Sequence, residues 1–384
     1  MISCGGNPRE RNSSTFTKIY RMNGKLVRAL FLLPLFSAGR SHAQSPALPA
    51  SRPSAPPPEL HSEANWKQVC SAVTSQPFVA PAFDHPEAEV HLKGCDETAL
   101  YYGFDHPPDP QGALQCGYYQ RAHPKPSYGD PFYGPGVLTM LYANGLGVDR
   151  NYDLAIRFAC ENSWAADAEM EYRIGHLEHL RDEHNTTAKV DLCDDGTSGL
   201  MMGACADVQE QFSDVHRALV LKTQSQRWAP QVREAFNLLQ AAEKAYEDAR
   251  TGKEVDRSGT GRAAFMLYEQ GKLRDQFLIN LHRFGEGTIP HATREQTEAS
   301  DAKLNDVYHQ LQDSYGKWES QPQESWRAGT IRWEGISDTE DSWLKLRDAW
   351  IDFSRVAYPN LKADWVKSQL THLRIHQLQS LLPK

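Results

Sequence analysis

No cysteine follows position 205. The seven in this 384-residue chain stand at 4, 70, 95, 116, 160, 193 and 205. They form no CxxC pair and no close Cys/His pair of the usual kind, which argues against a structural zinc module. Long apolar runs are missing too. Ala29 to Phe36, ALFLLPLF, is far shorter than the about 20 residues a bilayer-spanning helix needs. Basic residues are scarce. Residues 1–43 hold seven of the 41 Lys/Arg and one of the 49 Asp/Glu, so the rest carries 34 basic and 48 acidic residues, a formal net charge of −14. Such a surface repels phosphate backbones and disfavours nucleic-acid binding. Catalytic motifs are also lacking: there is no GxSxG, and no cysteine stands in a nucleophile signature. His176, His179 and Glu183 in HLEHLRDEH share a helix face, but no glutamate follows the first histidine, so the HExxH arrangement is missing. We assign no catalytic, metal or cofactor residues.

What is present starts with a leader. A short basic stretch from Met22, the Ala29–Phe36 run, and Ser41 and Ala43 at the −3 and −1 positions make a secretory signal peptide cut after Ala43, with residues 1–21 read as upstream of the true start. Residues 44–62 are rich in Pro, Ala and Ser and read as an extended tether. Six cysteines remain: Cys70, Cys95, Cys116, Cys160, Cys193 and Cys205. An even number in an exported chain predicts disulfides, with 15 possible pairings. All six lie in the N-terminal half of the mature chain, so one half is stapled and the other rests on core packing.

Short amphipathic helices follow from about residue 90, with folded structure starting near Trp66. In YANGLGVDRNYDLA (142–155) the glycines follow a helix rather than a strand, with no third glycine and no Lys-Ser/Thr, so this is a turn and no phosphate loop. Asp153 is expected to start the next helix, with Leu154, Ala155, Phe158 and Ala159 at helical spacing. Leu141, Tyr142, Gly145, Gly147, Val148, Asp149, Tyr152 and Ala155 make the stretch similar to a Sel-one-like repeat. That resemblance implies an α/α solenoid related to tetratricopeptide repeats and a protein-binding scaffold. Residues 185–206 read as a cross-linked loop or junction in which Met201 and Met202 are core filler.

From 207 the helices lengthen. Val232, Ala235, Phe236, Leu239, Ala242 and Tyr246 make one stripe; Leu304, Val307, Tyr308, Leu311, Tyr315 and Trp318 make another. Ser337-Asp-Thr-Glu340 reads as a capping box that starts a helix. Residues 239–249 align with 343–353 at an offset of 104, which suggests two related bundles. Asp301-x-x-Leu304-Asn305-x-x-Tyr308-x-x-Leu311, Ala349-Trp350-Ile351-x-Phe353 and Leu370-Thr371-x-x-Arg374-x-x-Gln377-Leu378 resemble the lysozyme-inhibitor LprI-like domain. Ser354-Arg355 stands where its members have Arg-Asp, and Tyr358 replaces their cysteine, so their usual disulfide is absent. On this basis Asp301, Asn305, Tyr308, Trp350 and Arg355 are the candidate partner-binding residues, with Tyr308 and Trp350 also suited to core packing.

The sequence therefore predicts an all-α chain: a short disulfide-stapled α/α repeat solenoid followed by one or two antiparallel helical bundles. The expected divisions are 1–43 leader, 44–62 linker, 63–204 repeat domain, 205–295 a helical region resembling a degenerate LprI-like bundle, and 296–384 the LprI-like domain. The expected role is a non-catalytic, periplasmic or secreted binding or scaffold protein of the bacterial cell envelope. Its partner would be a basic or lysozyme-like protein, with no nucleic acid and no membrane span after signal cleavage. Inhibition of lysozyme-type muramidases and a cell-envelope hydrolase are the alternatives. The last needs a cleft with two converging carboxylates of perturbed pKa.

Overall fold

Helix is the only regular structure from residue 65 onward among the described residues. The computed structural model describes residues 20–22, 25–27, 65–79, 92–124, 129–162, 165–321, 323 and 325–382. The expected leader and linker lie outside them, apart from the backbone of two short strands, Tyr20–Met22 and Lys25–Val27, which pair antiparallel. The chain divides into residues 1–57 and 58–384. Everything below concerns the second unit. No helix among the described residues is long and apolar enough to cross a membrane.

Among the described residues the N-terminal helices are α1 (Asn65–Thr74), α2 (Glu97–Tyr102), α3 (Pro110–Ala122), α4 (Pro135–Asn144), α5 (Tyr152–Glu161) and α6 (Asp167–Asp182). From α2 to α6 each packs on the next, and α1 lies against α5 and α6. The glycine turn explains the α4–α5 hairpin. Gly145 ends α4 at φ 62°, and its N–H donates to the Leu141 carbonyl. Gly147, at φ 70°, lies so close to Pro110 that a Cβ would sit 3.0 Å from its carbonyl oxygen. Both positions favour glycine. Asn151 then caps α5 by accepting from the Leu154 N–H, so the helix starts one residue before the expected Asp153. Val137, Met140, Leu141, Ala155, Phe158 and Ala159 are fully buried in this first core.

All six cysteines pair: Cys70 with Cys160, Cys95 with Cys116, and Cys193 with Cys205. Beside the second bridge lies a buried acid. Glu97 accepts from the Gln120 amide, whose oxygen in turn accepts from the Gly134 N–H at 2.7 Å. Burial pushes the Glu97 carboxyl up to about 7; the Gln120 donation opposes this and the Asp130 charge adds to it. A raised carboxyl binds its proton more tightly folded than unfolded. Stability is therefore lost as pH rises from the ordinary 4.5 towards 7. Glu97→Gln keeps the acceptor and removes the titration. It is expected to gain on the order of 3 kcal/mol at pH 8 and almost nothing at pH 4, read from urea melts at both pH values. An equal effect at the two would show that Glu97 does not titrate in this range.

The remaining α-helices among the described residues are α7 (Gly199–Ser225), α8 (Pro230–Lys253), α9 (Arg262–Gly285), α10 (Arg294–Ser320), α11 (Trp333–Ala357) and α12 (Ala363–Gln379). They form two triplets with the same packing order. In each, the first helix packs on the third, and the two middle helices pack on each other. Phe236 meets Phe353 while Lys253 meets Asp338, so α8 and α11 run antiparallel. Thr297 bonds to Asp364 and Tyr315 to Leu381, so α10 and α12 run parallel. One core spans both triplets, from Phe236 and Leu239 through Phe277, Phe284, Leu311 and Trp350 to Leu378.

Four local expectations change. Residues 199–206 are the opening turns of α7, not loop; Gly199 and Gly203 let it seat on Thr260 and Ala263, where Cβ atoms would come within 2.3 and 2.9 Å. The boundary expected between 204 and 205 falls inside this 27-residue helix. Met201 is buried there, but Met202 is 41% exposed because it lies on the outer face. Ser337–Glu340 is not a helix start, since α11 begins at Trp333 and Glu340 is drawn inward by Arg374 at 2.8 Å. The capping box that does form is Thr293 with Gln296, at the head of α10.

Candidate functional site

The apolar stripe of α8 leaves Gln240, Glu243, Lys244 and Glu247 along its flank, at the i, i+3, i+4, i+7 spacing of one helix face. This flank meets Asp214, Arg217, Ala218 and Leu221 of α7, and Arg274, Phe277 and Leu278 of α9. Together they enclose a pocket of ≈ 430 Å³.

Almost every charge here has a partner. Arg274 holds the Glu247 carboxylate through two donations, at 2.9 and 3.0 Å, and reaches Asp214 at 2.6 Å. Gln270 donates to the same Glu247 at 2.7 Å. Arg217 donates to Glu210 at 2.6 Å, Asp214 at 2.9 Å and Asp275 at 2.8 Å. Lys244 pairs with Asp248. Bidentate, charge-assisted pairs of this kind fix side chains as well as neutralise them.

Glu243 is the exception. It is half-buried and makes no hydrogen bond or ion pair among the described residues. Burial pushes its carboxyl up to about 8, and the neighbouring Glu247 charge adds to this. The pocket thus presents one carboxyl without a counter-ion beside Leu221, Phe277 and Leu278. Burial there favours the protonated form of that carboxyl over the charged one. No protein-family model, curated protein or solved structure matches this chain.

The residues singled out in 296–384 do not converge on one surface. Trp350 is 1% exposed and packs against Phe277 and Phe284, so it offers nothing to a partner. Asp301 faces inward as a clamp: Arg347 at 3.4 Å, Lys367 and the Thr371 hydroxyl all converge on it. Tyr308 is half-buried, packs on Trp333 with ring centroids 4.8 Å apart, and donates to Ser337. Arg355 is exposed and pairs with Asp352 at 2.6 Å on its own helix. Asn305 alone is exposed with no such contact among the described residues. The polar residues that carry the LprI-like resemblance are thus mostly internal. Arg374 and Gln377 belong to the same class, as Arg374 binds Glu254 and Glu340, and Gln377 accepts from Tyr246 at 2.7 Å.

The histidines of HLEHLRDEH part company. His176 faces Asp195 at 3.3 Å, and His179 pairs with Glu183 at 3.3 Å. No group of three or more metal-ligating side chains stands together among the described residues. Sequence reasoning passed over Glu243 because a glutamate beside an apolar stripe reads as solvated. The available signal was Leu239 and Glu247 four residues to either side of it, one deep in the core and one tied to Arg274.

Proposed function

We propose that this chain is an exported, non-catalytic binding protein whose α7–α9 pocket receives a basic side chain of a protein partner. The observation that carries the reading is the unpaired Glu243 carboxyl at the wall of an otherwise neutralised pocket. Ionising a partly buried carboxyl without a counter-ion is costly, and an incoming ammonium or guanidinium offsets that cost. The formal charge of −14 outside residues 1–43 would speed encounter with a basic protein. Three disulfides suit an oxidising compartment. Both sequence resemblances point in the same direction. A hydrolytic reading has less support, because Glu247 is fully engaged by Arg274 and Gln270 and leaves one free carboxyl rather than two.

The test is calorimetric titration of the disulfide-intact chain with a basic lysozyme at pH 7, in buffers of different ionisation enthalpy. Because burial pushes the Glu243 carboxyl up to about 8, binding of a cation beside it should release about one proton. Glu243→Gln should abolish that release and weaken binding about ten- to a hundredfold. Binding without proton release would remove Glu243 from the interface. No binding to any basic protein of a lysozyme panel would remove the reading.

A further inference from the structure

A second depression, of ≈ 270 Å³, lies where the end of α8, the start of α9 and the residues after α12 come together. Phe265 and Tyr268 stand one turn apart on α9 at its rim. They are 47% and 49% exposed, and neither ring stacks on another aromatic among the described residues. Its two carboxylates are already committed. Glu254 accepts from Arg374 and Arg250, and Glu269 accepts from Arg250 at 2.6 Å. What remains uncommitted is mainly donors. Arg250, 5% exposed, uses Nε and Nη1 on those acids and leaves Nη2 without a hydrogen bond among the described residues. The Lys272 side chain is 75% exposed and forms only a loose ion pair with Glu269 at 3.9 Å, which leaves its N–H donors without a hydrogen bond among the described residues.

We infer that this depression binds an acidic saccharide. A pyranose has an apolar C–H face that lies flat on exposed aromatic rings, and an edge rich in oxygen acceptors. A carboxylate on that ring would meet Lys272 and Arg250, the pocket's donors, in charge-assisted bonds. The volume sits just below the roughly 300 Å³ at which sites for drug-sized ligands begin, so it suits a single substituted ring better than a nucleotide. Two sources share this chemistry, a uronic acid and a muramic-type lactyl ether.

The test is ligand-observed NMR on the full disulfide-bonded chain with three probes: glucuronic acid, N-acetylmuramic acid and neutral N-acetylglucosamine. At least one acidic sugar should bind saturably in the millimolar range, and more tightly than the neutral one; which acid binds better identifies the source. Phe265→Ala with Tyr268→Ala should weaken binding about tenfold or more, and Lys272→Gln should erase the preference for the acid. Lys272 is exposed, so its variant reports even if the aromatic double variant fails to fold. Equal binding of the neutral sugar, no saturation by either acid, or affinity unmoved by Lys272→Gln would each overturn the assignment. So would displacement of the acidic sugar by a nucleoside monophosphate that binds more tightly through the same residues. These variants share no side chain with the Glu243 pocket, so the two readings fail separately.

Discussion

Replacing Arg374 by methionine is expected to cost about 3–5 kcal/mol of stability, the usual penalty for breaking a buried ion pair from one side. The Arg374 and Glu254 side chains are both 0% exposed. Their two hydrogen bonds, at 2.7 and 2.9 Å, join α12 to the end of α8. A third, at 2.8 Å, takes Arg374 to Glu340 on α11, and Tyr246 lies 3.3 Å from the same guanidinium. Arg250 holds the other flank of Glu254 and passes the chain of charges on to Glu269 on α9. Methionine fills the space but leaves Glu340 and half of Glu254 without a donor. Urea unfolding at pH 7 measures the loss. Pairing Arg374→Met with Glu340→Leu should recover a good part of it, because removing both partners also removes a stranded charge. A single-variant cost below about 1 kcal/mol would mean that water screens the pair as it does at a surface.

Removing the Cys70–Cys160 bridge is expected to cost about 4–5 kcal/mol, and removing Cys193–Cys205 about 3, if loop closure in the unfolded chain governs both. The first spans 90 residues and the second 12. The longer bridge also anchors α1, which otherwise reaches the core through Trp66, Val69, Val73 and the donations of Arg157 to the Val73 and Gln76 carbonyls. Double Cys→Ser variants compared by urea melts give the ranking. Hydrogen exchange should rise first in Asn65–Thr74 for the long-loop variant. The reverse order of costs would show that local strain or denatured-state structure outweighs chain entropy at these sites.

The apolar pattern of the chain was readable, and its buried charges were not. Leu304, Val307, Leu311, Tyr315 and Trp318 recur at helical spacing, and all are buried. Trp343, Leu346, Trp350 and Phe353 behave in the same way. Pairing of the six cysteines was foreseeable, but which joins which depends on tertiary placement. Glu97, Glu254, Glu340 and Arg374 are at most 9% exposed, yet nothing local distinguishes them from solvated residues. Their burial is affordable only because partners arrive from elsewhere in the chain, 120 residues away for Arg374 and Glu254. Periodicity does not record such pairings. Glu243 escapes for the complementary reason: what marks it is a missing partner, visible only once Glu247, Arg217 and Arg274 have found theirs.

The 27 residues of α7 run without interruption from one core to the other. Met201 and Val208 belong to the stapled N-terminal core, and Leu221 packs against the second. A rod that serves two cores leaves no pliant joint at which one half can melt while the other waits, so heat should produce one transition rather than two. It also works as a lever for linkage. Asp214, Arg217 and Leu221 line the pocket from the same helix whose first turns are held by Glu169 and the Cys193–Cys205 bridge. Any cation bound beside Glu243 should therefore protect amides of the cysteine-rich half, a full core away from the ligand.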